Sequence, residues 1–139
     1  MTTRLRLQTG DLVFIAAWEE KAPRSCAAIR ALLPITFDLV QARWSGEAAW
    51  VDVDHLPIDV PQENHTAYPS RGDLLLYPGG ISVKEILFPY GPTRFGSKMG
   101  TLAGNHFATV VDGREHLEEM GRRVSWQGAQ KLELTEISL

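Results

Sequence analysis

The chain has 139 residues, 44% of them hydrophobic and 22% charged, which matches one folded domain with a sizeable core and excludes disorder along its whole length. Its formal net charge of −3, with scattered basic residues and only Arg122-Arg123 adjacent, excludes a nucleic-acid binder that works by neutralising phosphates. A single cysteine, Cys26, excludes an intrachain disulfide and a multi-cysteine zinc site.

Arg4, Arg6 and Gln8 interrupt the first ten residues where a signal peptide would need an apolar run. The longest apolar runs, Leu12 to Trp18 and Leu74 to Tyr77, fall far short of the roughly 20 residues that cross a bilayer. A cytoplasmic protein with no membrane partner is expected. Arg4 to Leu7 alternates polar and apolar residues, and Gly10-Asp11 introduces the apolar run from Leu12, so two strands joined by a tight turn are predicted. Pro23 suits a first helical turn, and Cys26, Ile29, Leu32 and Leu33 follow at helical spacing before Pro34; the spacing predicts a helix over Pro23 to Leu33. Ile35, Phe37 and Leu39 alternate with polar residues, then the apolar phase switches to Val40, Ala42 and Trp44. That switch suggests a bulge or a strand that changes partners.

Ser45-Gly46 reads as a turn, with a strand continuing through Ala48, Trp50 and Val53. Asp54 to Tyr68 contains prolines and little periodicity, so a long loop is expected, and such loops are often functional. Pro69 to Gly72 is a turn, Asp73 to Tyr77 a buried strand, Pro78 to Gly80 a second turn, and Lys84 to Pro89 the partner strand. Tyr90 to Gly104 reads as irregular. Phe107 to Val111 follows as a strand, Arg114 to Val124 as a short helix, and Lys131 to Leu134 as a closing strand. Many short strands with two helices fit a barrel or a sandwich, and periodicity alone does not separate them.

Several segments carry a resemblance: Gln41-Ala42-Arg43-Trp44-Ser45-Gly46-Glu47, Glu63-Asn64-His65-Thr66 with Tyr68-Pro69, Gly72-Asp73 through Gly80, Phe88 through Phe95, and Gly104-Asn105-His106-Phe107. In combination they resemble a bacterial family of uncharacterised proteins with a cyclophilin-like fold. The resemblance implies a mainly β protein, a single domain over 1–139 built as a closed antiparallel eight-stranded barrel with two peripheral helices. It implies no activity. Prolyl isomerases of cyclophilin type carry a phenylalanine–arginine stretch and a glutamine–glycine–glycine–aspartate stretch, and neither is recognisable in this sequence.

The candidate chemistry lies in polar residues near glycines. In Glu63-Asn64-His65-Thr66 a histidine exchanges protons near neutral pH and an adjacent carboxylate tunes it; the same residues also read as a loop satisfying its own backbone. His106 and Asn105 enter a strand beside Gly104, where they either meet a ligand or hydrogen-bond the backbone. Tyr90-Gly91-Pro92-Thr93-Arg94 offers a stiff turn, an amphipathic wall and a guanidinium fork for a carboxylate, or else a rigid turn with Arg94 paired to Glu47 or Glu85. Trp44 and Trp50 read as packing or subunit-interface anchors, with Glu47 as a general base if it is buried. Cys26 reads as a packing residue.

The four histidines lack close ligand spacing, and no Gly-x-Ser-x-Gly or phosphate-loop pattern occurs, so neither a metal nor a cofactor is expected. The sequence thus predicts a pocket for a small anionic or amide-containing metabolite. Its lining would be Glu47, Asn64, His65, Tyr90, Arg94, Asn105 and His106, with His65, His106 and Glu47 as candidate catalytic groups. The alternatives are a prolyl isomerase or peptide-binding module, and a structural homo-oligomer. The pocket requires the segments near 45, 65, 92 and 105 to meet around one concavity.

Overall fold

A computed structural model describes residues 3–139. In chain order the elements are β1 (Thr3–Thr9), β2 (Leu12–Trp18), α1 (Pro23–Arg30), β3 (Ile35–Gln41), β4 (Gly46–Asp52), β5 (His65–Thr66) and β6 (Asp73–Tyr77). There follow β7 (Glu85–Thr93), β8 (Gly96–Ser97), β9 (Gly100–Thr101), β10 (Gly104–Asp112), a 3₁₀ turn (Arg114–His116), α2 (Leu117–Gln127) and β11 (Gln130–Ser138).

Eight strands pair in the order β2-β1-β11-β3-β4-β7-β6-β10, and β10 pairs back onto β2. Every pairing is antiparallel, so the sheet closes into a barrel and leaves no long unpaired edge. The expected mainly β barrel with two helices is what the chain forms. Inward positions follow a period of two: Leu5 and Leu7, Phe14 and Ala16, Ala49 and Val51, Leu74 and Leu76, Ile86 and Phe88 are all buried in one core. Phe14 and Phe88 meet edge to face at 5.4 Å.

The helices close the two ends. From α1, Cys26 and Ile29 reach the core near the start of β10, and Leu117, Met120 and Val124 of α2 cover the end where β3 and β7 finish. α1 ends at Arg30, three residues short of the range predicted from spacing. The Leu32 and Leu33 amides bond to the Ile29 and Arg30 carbonyls in a tightened last turn, and Pro34 has no amide with which to continue.

The phase switch after Leu39 is a change of partner. β3 pairs with β11 through Ile35–Leu39 and with β4 through Val40 and Gln41. Strand ends are longer than the sequence pattern indicates. Tyr90-Gly91-Pro92-Thr93, read as part of an irregular segment, completes β7, with a register shift against β4 between Gly46 and Ala48. Asn105 and His106 lie inside β10, and His65-Thr66 is a short strand paired with Gly104-Asn105 rather than loop. Alternation alone misses such ends because a bulge shifts the phase.

The Tyr90 ring lies flat over Gly121 of α2, and its hydroxyl donates to Gln41 Oε1 at 2.6 Å, with Ser125 Oγ at 3.1 Å. A Cβ on Gly121 would fall inside van der Waals contact of that ring. Alanine is the better helix former by about 1 kcal/mol, yet Gly121→Ala is expected to lower the melting temperature, because α2 must move off Tyr90. Thermal denaturation of the single variant checks the sign.

Candidate functional site

The outer faces of β4, β7 and β6 do not end in polar residues as a solvent-facing sheet would. Ala48, Leu75, Tyr77 and Leu87 point outward there and form a second core with Phe95 and Leu102, supplied by the segment 94–103 laid over them. Phe95 anchors that segment: its amide donates to the Ala67 carbonyl at 2.8 Å, its carbonyl accepts from the Leu102 amide at 3.1 Å, and its ring meets Tyr77 edge-on. Ser45 fixes the near end. Its hydroxyl accepts from the Gly96 amide at 3.0 Å and donates to the Gly96 carbonyl at 3.2 Å. Only glycine fits at 96, since a Cβ there would sit 2.6 Å from the Trp44 carbonyl oxygen.

Between this covering segment and the barrel wall lies a pocket of about 160 Å³, comparable with an engineered cavity that accepts benzene. Trp44, Trp50, Val83 and Ala42 give it apolar walls; Ser45, Ser82, Ser97 and Glu85 are its inner polar groups, and Arg43 and Lys98 stand exposed at its mouth. Glu85 is the unusual member. It is only 8% exposed, and among the described residues no side-chain or backbone group hydrogen-bonds or ion-pairs with its carboxyl. Burial pushes its pKa up to about 8, and the carboxylate of Asp52, its direct cross-strand partner, adds to the shift. At neutral pH the group is therefore mostly an uncharged acid, able to donate as well as accept a hydrogen bond.

The residues singled out from sequence do not share one concavity. Glu47 and Tyr90 line a shallow groove against α2 with Gly121, Ser125 and Trp126. Glu47 is exposed, which removes the burial that a general base there required. Arg94 is exposed, and no ion pair joins it to Glu47 or Glu85; its backbone amide bonds to the Ser45 carbonyl. His65 is exposed on β5.

Asn64 and His106 do meet. With Trp18, Glu19, Glu20 and Lys21 they line a polar concavity of about 510 Å³. His106 Nε2 is 2.8 Å from Thr109 Oγ1, 3.4 Å from Asp73 Oδ1 and 3.8 Å from Glu19 Oε1, and Thr109 donates to Glu19 at 3.1 Å. Asn64, at φ 48°, donates to the His106 carbonyl at 2.9 Å. Glu19, Asn64 and His106 are thus engaged with protein, whereas Trp18 Nε1 on the same lining is buried without a hydrogen-bond partner. Among the described residues no group of three or more His, Cys, Asp or Glu side chains is placed to hold a metal ion, and no helix is long and apolar enough to cross a membrane.

Asn105 is a structural tie. Fully buried, it accepts from the Glu63 amide at 3.1 Å and donates to Ser25 Oγ at 3.0 Å and the Pro61 carbonyl at 2.9 Å. Glu63 in turn accepts from the Ser25 amide and hydroxyl, so the pair pins the long loop to the start of α1. Cys26 packs beneath, its thiol against the Phe107 carbonyl and pushed up to about 11 by burial.

Sequence reasoning missed Glu85, which it considered only as a surface partner for Arg94. A signal existed: in Glu85-Ile86-Leu87-Phe88 both strand faces are apolar, so either phase places the glutamate on a buried face.

A family model described as "Protein of unknown function (DUF3830)" matches residues 5–136. No curated protein matches the sequence. Among solved structures, "Structure of McbB in complex with tryptophan" superposes with a TM-score of 0.70 at 15% identity, covering 94% of this chain and 44% of that one. The chain therefore spans less than half the length of that protein. The likeness establishes the cyclophilin-like barrel that the sequence segments imply.

Two measurements follow from this geometry. Glu85 binds its proton more tightly folded than unfolded, so its contribution to stability is full below its ordinary pKa of 4.5 and is lost as pH rises towards about 8. Glu85→Gln is expected to match the wild type near pH 4.5 and to exceed it by on the order of a few kcal/mol at pH 8 and above, read from denaturant titrations across pH. Asn105→Ala leaves buried partners unsatisfied and is expected to cost about 2–3 kcal/mol in the same titrations.

Proposed function

This chain belongs to the DUF3830 family, and we propose that it is a small-molecule-binding domain whose ligand enters the pocket beneath the β8–β9 hairpin and meets Glu85. The observation that carries this reading is a largely buried carboxyl that no protein group hydrogen-bonds, its oxygens reaching the opening of an aromatic-walled pocket. A titratable group displaced from its ordinary pKa by desolvation and facing a cleft is a common mark of a functional site. The pocket also has the make-up of ligand sites in general: mostly apolar walls and a few converging polar groups. The solved structure that this barrel resembles is described in complex with tryptophan, which supports small-molecule binding on this architecture.

A second reading keeps the expected anionic or amide-containing ligand at the concavity of Asn64 and His106. It is favoured by His106 standing beside Asp73, Thr109 and Glu19, an arrangement suited to proton exchange. The two concavities lie on different strands of the wall, so one experiment separates them. A panel of small metabolites is screened by thermal shift against the wild type, Trp50→Ala and His106→Ala. A ligand at one hundred times its Kd should raise stability by about 2.7 kcal/mol, equivalent to roughly 8 °C for a domain of this size. Under the first reading that shift disappears in Trp50→Ala and persists in His106→Ala. The reverse pattern assigns the ligand to His106, and no shift with any compound counts against both.

A further inference from the structure

Which chemical class the Glu85 pocket takes can be argued from the charges around it, and the argument rests on that pocket being the ligand site. We infer that the pocket receives a small primary or secondary amine, its ammonium group reaching Glu85 and its ring or short alkyl body lying against Trp44 and Trp50.

Four features point to this class. Glu85 is more than nine-tenths buried, faces the pocket and has no donor from the protein, so its oxygens are available as acceptors. Trp44 and Trp50 line the same space, and indole faces attract cations as well as flat apolar groups. An anionic group beside Glu85 would instead meet, across the strand pair, the negative charge of Asp52. The pocket volume of about 160 Å³ limits the inserted body to about one ring.

The surrounding groups set where the charge goes. From β4, Asp52 stands opposite Glu85 and adds negative potential; from β6, Tyr77 is its other cross-strand neighbour, its hydroxyl accepting from the Ile81 and Ser82 amides. Lys84, next in chain to Glu85, is drawn away: its ammonium donates to the Leu56 and Ile58 carbonyls. Arg43, from the β3–β4 corner, and Lys98, from the β8–β9 turn, are the cations on the pocket lining. Both are exposed at its mouth, where solvent screens their repulsion of an inner ammonium and where they can meet an acid on the ligand's outer end. The pocket floor thus lacks a cation that the ligand would bring.

Amine binding on these terms exchanges charge for a proton. The unliganded Glu85 is mostly protonated at pH 7, and an ammonium stabilises its carboxylate, so the proton leaves to solvent as the ion pair forms. No other covalent change is involved.

The test uses three single-ring probes on the full chain at pH 7: benzylamine, benzyl alcohol and phenylacetate. Calorimetric titration in phosphate and in MOPS, a tertiary amine, whose ionisation enthalpies differ, reads the protons released. Benzylamine is expected to bind at least tenfold more tightly than the other two and to release close to one proton. Glu85→Gln is expected to weaken benzylamine at least tenfold, to abolish the proton release and to leave benzyl alcohol within about twofold. Should that variant fail to fold, the proton count and probe ranking in the wild type decide alone. Equal or tighter binding of benzyl alcohol or phenylacetate, or amine binding without proton release, overturns the amine assignment while leaving the pocket as a ligand site if Trp50→Ala abolishes that binding. Absence of binding by all three probes overturns the amine assignment, and the metabolite panel then decides the pocket itself.

Discussion

The barrel has one apolar face too many, and the segment 94–103 exists to cover it. Closure through β2 and β10 turns one side of every strand inward, which disposes of Phe14, Val51, Leu76 and Phe88. It does nothing for Ala48, Leu75, Tyr77 and Leu87 on the outside of β4, β6 and β7. Burying Phe95 and Leu102 on that patch removes two large side chains and the patch beneath them from water, a gain of about 1.5–3 kcal/mol per fully buried side chain. A short β8–β9 hairpin has too few ladder bonds to hold itself in place. It stays because Phe95 is held by Ala67 and Leu102, and Gly96 by Ser45.

The pocket is the part of that patch which the cover does not reach. Trp50 and Glu85 are strand residues of a closed barrel and so sit on rigid elements, while Trp44 comes from the turn before β4 and Ser97 from β8, two segments that the Ser45 hydroxyl ties together. Rigid strands holding a carboxyl away from every protein donor is a costly arrangement, since a buried acid must give up its charge or its solvent. Two other polar groups of the interior are fully engaged: Asn105 satisfies three partners, and Glu63 is held by Ser25. The contrast between Asn105 and Glu85 is the clearest distinction the structure draws between a polar group used for folding and one left for a ligand.

The fold was largely legible in the chain and the site was not. Alternation in Leu5-Arg6-Leu7 and the short apolar runs Leu12 to Trp18 and Leu74 to Tyr77 identify strands because one or both faces of each are buried, and the phase change after Leu39 marks where β3 exchanges β11 for β4. The polar clusters drew attention for a reason that the structure separates into cases. Asn105 is polar to tie down a loop, Tyr90 to span from β7 to Gln41 and Ser125, and His106 and Asn64 to share a concavity. Sequence proximity to glycine does not distinguish these uses.

By itself the sequence determined the β-rich architecture, the helix at Pro23, the packing role of Cys26 and the absence of a disulfide, because these depend on local periodicity, proline chemistry and composition, whereas closure into a barrel came only through the family resemblance. Tertiary structure alone decided that Glu85 is buried and Glu47 is not, and that the exposed Trp44, and Trp50 packed against the second core, both wall a pocket. Both outcomes turn on which outer face the segment 94–103 covers. That depends on Phe95 meeting Ala67 and Gly96 meeting Ser45, contacts 28 and 51 positions apart, distances over which neighbouring residues carry no signal.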